Sequence, residues 1–381
     1  MKRALASAAA LALLLIAGSG CPRPGDGKET VKIGFIGPLS GDAASFGNRM
    51  KNAVELAVEE FQGKTPVAFE VIYKDDRMDV GQARQAMDAF LADPSVIAVI
   101  GAGRSQVVQM EAELAAPSGL VVISPTATSP SLSAPEYTHF FRVIPSDAYQ
   151  GRFLAEMAVN RNLSNVAIAY LTDDYGNGLR NEFRRTFTSQ AGKRIAAEQG
   201  FSSGEAEFEP LILSILRHNP DGVFVAGMPQ EIADFLVDAH KIKDVAKIQF
   251  LAPEVFRSPD SLNRADKGEA AQNVLVSGTE ANLSKQFLDS YRSKFTQGQP
   301  DEEPDAFAGN AYDAAKALFI ALQQGAKTRQ ELQRALGQED FKFSGASGTV
   351  AFDPNGDIDT KNYSLYVVQG KDFVRIASSG G

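Results

Sequence analysis

Val121-Val122-Ile123-Ser124-Pro125-Thr126-Ala127-Thr128-Ser129-Pro130 passes abruptly from a short apolar run to hydroxyl groups held between prolines. A short β-branched run is the mark of a strand buried on both faces of a parallel sheet. Beyond it, Pro125 and Pro130 remove two backbone donors and stiffen the loop, while Ser124, Thr126, Thr128 and Ser129 can each donate and accept hydrogen bonds. In an open α/β sheet a ligand sits just outside the carboxyl ends of the strands, so the stretch reads as one wall of a small polar site. The alternative is a solvated turn built from Ser/Thr motifs.

The same unit recurs on both sides. Strands are expected at Val31–Ile36, Val67–Tyr73 and Val96–Ile100, with Gly119–Ser124 as the fourth. Between them Phe46, Met50, Ala53, Val54, Ala57, Val58 and Phe61 fall at helical spacing, Asp79 stands as the N-cap of a second helix, and a third starts near Gln106. The pattern pauses from Pro130 to Pro145 and resumes. Further strands are expected at Val166–Leu171, Lys193–Gln199, Gly222–Ala226, Lys247–Leu251 and Asn273–Gly278, with helices beginning near Gly178, Ala206, Gln230 and Ser261. Leu283–Phe295 and Ala306–Gln324 read as helices, and Thr349–Phe352 with Tyr363–Ile376 as hairpin strands around Asp353-Pro354-Asn355-Gly356. Regular alternation of strand and helix predicts an α/β fold with two doubly wound parallel-sheet lobes.

The amino terminus carries an address. Met1-Lys2-Arg3 precedes an apolar run to Ala17 and small residues at 18–20, the pattern of a secretory signal too short to span a bilayer. Cys21 is the only cysteine, which rules out an internal disulfide and a cysteine-rich metal site. Pro22 to Gly27 reads as a flexible tether. A formal charge of −9 without a long basic run argues against nucleic acid as a partner. The three histidines, His139, His218 and His240, show no ligand spacing, so no metal or other cofactor is expected.

Two motifs invite enzymatic readings. Gly101-Ala102-Gly103 after a strand suggests a dinucleotide loop, but Gln106 occupies the place of the third glycine. What remains is geometry: glycines permit close approach to a ligand, and the following helix offers N–H groups to a carboxylate. Gly200-Phe201-Ser202-Ser203-Gly204 matches a nucleophile elbow, with Asp221 or Asp238 and then His240 downstream, so a serine hydrolase at Ser202 is an alternative function. Against it, Lys193–Gln199 is charged and resembles an edge strand, whereas the elbow normally ends a central one. Asp75-Asp76 reads as turn and cap material, and Asp173-Asp174 is open between that role and acid/base chemistry.

Several stretches together resemble the branched-chain amino-acid binding proteins of ABC importers, which have the type I periplasmic binding fold. These are Ile33-Gly34-Phe35-Ile36-Gly37-Pro38-Leu39-Ser40-Gly41, Val54–Glu60, Tyr73-Lys74-Asp75-Asp76, Val99-Ile100-Gly101, Ile123–Thr128, Asp174-Tyr175-Gly176-Asn177-Gly178 and Leu251-Ala252-Pro253-Glu254. The resemblance implies that Ser105 and Thr128 bind a ligand carboxylate and help hold its ammonium, with the Thr126 backbone carbonyl accepting from that ammonium. It implies that Glu254 pairs with the ammonium and that Tyr175 closes over the ligand from the second lobe. Phe46 and Met228 stand where tipped aromatics often line the pocket, and Arg104 beside Ser105 either meets an anionic ligand group or an internal acid, or points to solvent. Cys21 resembles the lipidated first residue of a mature bacterial lipoprotein.

The implied architecture has a three-strand hinge, with crossings placed near Pro145, Gly278 and Gly345. Residues 1–20 are then a signal peptide and 21–30 a lipidated tether. Residues 31–145 with 279–345 form the N-terminal lobe, and 146–278 with 346–381 the C-terminal lobe. The function implied is a monomeric, lipid-anchored, periplasmic or extracytoplasmic binding protein that is not an enzyme and hands an amino acid or related carboxylate to an ABC permease. A ligand-sensing or envelope-partner lipoprotein of the same fold is the second reading.

Overall fold

The computed structural model describes residues 30–279, 283–296, 303–359 and 363–378. The signal-peptide and Cys21 readings fall outside these residues. In the first lobe β1 (Thr30–Gly37), β2 (Ala68–Asp75), β3 (Val96–Gly101), β4 (Val121–Ser124) and β5 (Phe140–Arg142) form a wholly parallel sheet in the order β2-β1-β3-β4-β5. Three helices connect them, α1 (Ala44–Phe61), α2 (Val80–Leu91) and α3 (Ser105–Ala115). Asp79 caps α2 as its position predicts, accepting the Gln82 N–H at 2.8 Å. Val121, Val122 and Ile123 are fully buried, as a strand covered on both faces requires.

The second lobe follows with α4 (Asp147–Asn160), β6 (Asn165–Leu171), α5 (Asp174–Thr188), β7 (Arg194–Phe201), α6 (Glu209–Leu216), β8 (Gly222–Ala226), α7 (Pro229–His240), β9 (Gln249–Ala252), α8 (Pro259–Arg264) and β10 (Leu275–Thr279). The chain then returns to the first lobe with α9 (Lys285–Tyr291), α10 (Ala306–Gln323) and α11 (Arg329–Leu336), and β11 (Lys342–Ser344) pairs with β12 (Thr349–Ala351). Finally β13 (Tyr363–Gln369) and β14 (Asp372–Ser378) extend the second sheet, whose order is β14-β13-β10-β9-β8-β6-β7. Its first two strands are antiparallel additions to an otherwise parallel sheet. Each sheet is sandwiched between two apolar layers, α1 and α10 opposite α2 and α3 in one lobe, α4 and α5 opposite α6 and α7 in the other.

Three expectations are corrected. The pause from Pro130 to Pro145 contains a short strand, β5, whose three residues fall below the length that periodicity reveals. Second, residues 346–358, expected in the C-terminal lobe, stay with the first. Asp313 on α10 accepts the Ala346 and Ser347 N–H groups at 2.5 and 2.8 Å, Val350 and Ile358 enter the first-lobe core, and Asp357 pairs with Arg142. Third, the Asp353–Gly356 turn forms and closes an antiparallel bridge between Phe352 and Ile358, but the longer strands at the end of the chain pair as β11–β12 and β13–β14.

The contact of Arg142 with Asp357 is an ion pair inside the protein. The Arg142 Nε lies 2.7 Å from Asp357 Oδ1, and the two side chains are 0% and 7% exposed. Arg142 Nη1 donates to Ser129 O at 2.8 Å and to Ala127 O at 3.3 Å, and Nη2 to Ser133 Oγ at 2.5 Å. Gly356 makes the approach possible: its φ is +78°, and a Cβ there would come within 2.1 Å of Phe140 O. Removing one partner of such a pair leaves a buried charge uncompensated. Asp357→Ala is therefore expected to lower unfolding free energy by about 3–5 kcal/mol in urea denaturation, and a loss below about 1 kcal/mol would show the pair to be dispensable.

Candidate ligand site between the lobes

The carboxyl ends of the first-lobe strands carry the polar loops, and a cavity of about 230 Å³ opens there between the lobes. Phe46, Arg104, Ser105 and Thr126 from the first lobe and Tyr175 and Met228 from the second all line it. A larger groove of about 790 Å³ runs past Thr30, Ser95 and Gly119. It lies at the amino ends of the strands, the wrong end for a ligand site in an open α/β sheet.

Local chemistry explains how each side chain arrives. Ser124 ends β4 by donating to Gly101 O at 2.7 Å and accepting the Thr126 and Ala127 N–H groups, which ties the loop after β4 to the loop after β3. The Thr126 hydroxyl donates to Gly103 O at 2.8 Å, so its side chain is committed to the same seam. Helix α3 starts at Ser105 on the cavity lining, and its N-cap, Arg104, makes no side-chain capping bond. Ser105 Oγ accepts the Ser129 N–H at 3.2 Å, which leaves its own proton for another acceptor. Arg104 Nη1 reaches Ser203 Oγ of the second lobe at 2.7 Å, and its Nε is buried with no acceptor.

On the second lobe Asp173 accepts the Gly176 N–H at 2.9 Å and so caps α5, the structural half of the alternative left open for that residue. The cap places Tyr175 in the first turn, 5% exposed. Thr128 and Glu254 are not on the cavity lining; both are buried beside it. The Thr128 hydroxyl donates to Asp147 Oδ2 at 2.8 Å. Burial, then the Glu254 charge, push the Asp147 carboxyl well above the ordinary carboxylate range, against the Thr128 hydrogen bond. Burial also raises the Tyr175 phenol, assisted by the charges of Asp147 and Glu254.

Asp147 is the residue that the sequence concealed. It occupies the first turn of α4 behind the Ser146 cap, where an acidic residue ordinarily answers the helix dipole. In space it is fully buried, and its Oδ1 has no hydrogen-bond partner. Phe307, Met78 and Val255 also line the cavity, and Phe307 meets Phe46 edge-on with ring centroids 5.2 Å apart. No local signal marks them, since each owes its place to packing between distant segments.

The glycines after β3 have a different reason from ligand approach alone. A Cβ at Gly101 would come within 2.2 Å of Glu111 Oε2, so the glycine makes room for a fully buried carboxyl group. Asp76 lies close by, with Oδ2 3.3 Å from where a Gly103 Cβ would stand.

The family model described as Periplasmic binding protein matches residues 30–373. The chain belongs to this family. The leucine-, isoleucine-, valine-, threonine- and alanine-binding protein of Pseudomonas aeruginosa is 24% identical over 351 residues, covering 89% of this chain and 90% of that protein. A leucine binding protein, LivK, from Thermotoga maritima superposes with a TM-score of 0.80 at 25% identity, over 91% of this chain and 98% of that one. A solute binding protein of an ABC transporter from Rhodopseudomonas palustris, in complex with 3,4-dihydroxy benzoic acid, gives 0.77 at 23% identity, over 92% and 97%. The named relatives are solute-binding proteins, and family membership places this chain among extracytoplasmic binding proteins.

The elbow motif has a structural use instead. Ser202 follows edge strand β7 and is exposed, Asp221 accepts from Ser164 and the Asn165 N–H, and Asp238 accepts from Lys241 and the Phe208 N–H.

The buried acids beneath the site make stability depend on pH. Burial, assisted by Asp75 and opposed by the Met78 N–H, raises Asp76 from 3.8 to about 6. Burial likewise raises Asp313 to about 6. A carboxyl whose folded value lies above its unfolded one contributes stability at low pH that is lost as pH rises through the folded value. The melting temperature should thus carry a falling component between roughly pH 4 and pH 7, reduced in Asp76→Asn. An Asp76→Asn profile parallel to that of the unmodified protein would dismiss Asp76 as its source.

Proposed function

We propose that this chain is an extracytoplasmic solute-binding lipoprotein, anchored through Cys21, that captures an amino acid between its lobes and delivers it to an ABC importer. The observation that carries the reading is the polarity of the interlobe site. Ser105, the first N–H groups of α3 and the buried Nε of Arg104 offer donors to a carboxylate on the first lobe. Glu254, with Asp147 behind Thr128, offers acceptors to an ammonium at the second lobe. Phe46, Phe307, Met78, Met228 and Val255 line the space between with apolar surface. A zwitterion taken out of water needs each charge met by directed partners, and this arrangement supplies both poles.

Size agrees. A cavity of about 230 Å³ is below the ~300–1,000 Å³ usual for drug-sized ligands and suits a single amino acid. An aromatic acid, the ligand of the R. palustris neighbour, would suit the Phe46–Phe307 wall but bring no cation to Glu254 and Asp147. Closure stabilises the complex because the ligand contacts both lobes only when they meet, and the closed form is the shape offered to a permease.

Isothermal titration with leucine, isoleucine, valine and threonine checks the reading. Glu254→Ala should weaken binding by about 100-fold or more, the usual cost of truncating one partner of a desolvated charge pair; unchanged affinity would sink the ammonium assignment. Cys21→Ser should release the protein from the membrane fraction into the soluble extracytoplasmic fraction, whereas continued membrane association would discard the lipid anchor.

A further inference from the structure

Gly101-Ala102-Gly103, the motif that suggested a dinucleotide loop, stands over two buried acids instead. We propose that Glu111 and Asp76 form a proton-binding site beneath the Ser105 wall of the cavity, and that a ligand carboxylate and a proton are taken up together.

Glu111 lies inside α3 and is fully buried. Neither of its carboxyl oxygens has a hydrogen-bond partner, and Oε2 reaches 2.2 Å from where a Gly101 Cβ would stand. Helix side chains lean towards the amino terminus, which brings this carboxyl to rest under the loop after β3. Asp76 enters from the end of β2 and is also fully buried. Its Oδ1 accepts the Met78 N–H at 3.0 Å, while Oδ2 has no partner and lies 3.3 Å from where a Gly103 Cβ would stand. Three carboxyl oxygens without donors thus end under one loop, and Gly103, Arg104 and Ser105 of that loop line the cavity with Met78. A bare carboxylate there is costly, and a proton is the smallest cation that removes its charge. Among the described residues no third metal-ligating side chain joins the two.

The surrounding elements supply no competing cation. α2 gives the layer it shares with α3 only apolar side chains, Ala83, Ala86, Met87 and Phe90, while its Arg84 and Asp88 are exposed. β1, β3 and β4 present Ile36, Val99 and Val122. On the loop after β2, Asp75 takes the Ser40 hydroxyl and Arg77, and Asp79 caps α2. Glu113 of α3 turns to Gln109 and Tyr137, and Arg104 ends on Ser203. His139 Nε2 lies 2.8 Å from Ala112 O, and burial favours its neutral form. Burial, then the charge of Asp76, push the Glu111 carboxyl well above the ordinary carboxylate range.

The coupling follows from distance. The helical rise between Ser105 and Glu111 is about 9 Å, and a unit negative charge at that range, at an effective dielectric of about 20, weakens anion binding by roughly 20-fold. A ligand carboxylate at Ser105 therefore favours the protonated pair, and by reciprocity the proton favours the ligand. This coupling rests on the function proposed above; the proton site does not.

Two measurements on the full-length protein separate them, both using the isosteric double variant Glu111→Gln with Asp76→Asn. Without ligand at about pH 7, infrared difference spectra should show a protonated-carboxyl C=O band in the unmodified protein that the double variant lacks. No such band would overturn the proton site. Calorimetric titration with leucine at about pH 7.5, in buffers of different ionisation enthalpy, should show uptake of up to about one proton per leucine. Affinity should fall as pH rises from about 6 to about 8.5, because the protonated pair is lost in that direction. The double variant should flatten this fall and bind leucine more tightly than the unmodified protein at about pH 8.5, by up to roughly 20-fold, whereas a merely structural role predicts weaker binding at every pH. Absence of proton uptake, or equal or weaker binding by the double variant at that pH, would overturn the coupling. Each single variant should carry part of the same shift, which keeps the test available if the double variant does not fold. If no amino acid binds, the proposed function fails and the infrared band alone judges the proton site.

Discussion

The loop that makes the first-lobe wall of the cleft depends on one buried cation. Arg142 sits at the end of an edge strand of three residues, yet it collects the Ala127 and Ser129 carbonyls, the Ser133 hydroxyl and the Asp357 carboxylate. A guanidinium has five donors in a fixed plane, so it can fix the curvature of a loop that its own proline residues cannot hydrogen-bond for. Asp357 comes from 215 positions further along the chain, which makes the wall a joint product of two distant segments. Ser133 bonds both members of the pair, so the polar atoms around it are closed into one network.

Behind that wall the protein keeps several carboxyl groups out of water. Glu111 and Asp76 lie under the loop after β3, and Asp147 and Glu254 lie beside the hinge. The first two are raised chiefly by burial, and Asp147 by burial and by its acidic neighbours. Desolvated like charges are costly when both ionise, which holds the Asp147 carboxyl above the ordinary carboxylate range beside Glu254.

Much of the fold was legible because it is repetitive. Val121–Ile123, Val96–Ile100 and Gly222–Ala226 are continuous apolar runs punctuated by glycine, proline or hydroxyl residues, and each became a buried parallel strand. The edge character of β7 was legible in its charges. β5 was not, since three residues carry no period, and neither was the first-lobe place of residues 346–358, where Asp313 holds the backbone of a segment that reads as ordinary turn. Of the site residues, Ser105, Thr126, Tyr175, Arg104, Phe46 and Met228 reach one cavity, while Asp147 and Phe307 carry no signal outside the folded chain.

The sequence by itself determined the alternation of strand and helix and which loops would line the interlobe cavity, because side-chain period and turn chemistry are local properties. Only the tertiary structure decided which charges meet. Arg142 finds Asp357, Arg104 finds Ser203, and Thr128 finds Asp147 through the packing of two sheets and a hinge. Coulomb and hydrogen-bond energies depend on distance and desolvation in the folded state, and neither is a function of separation along the chain.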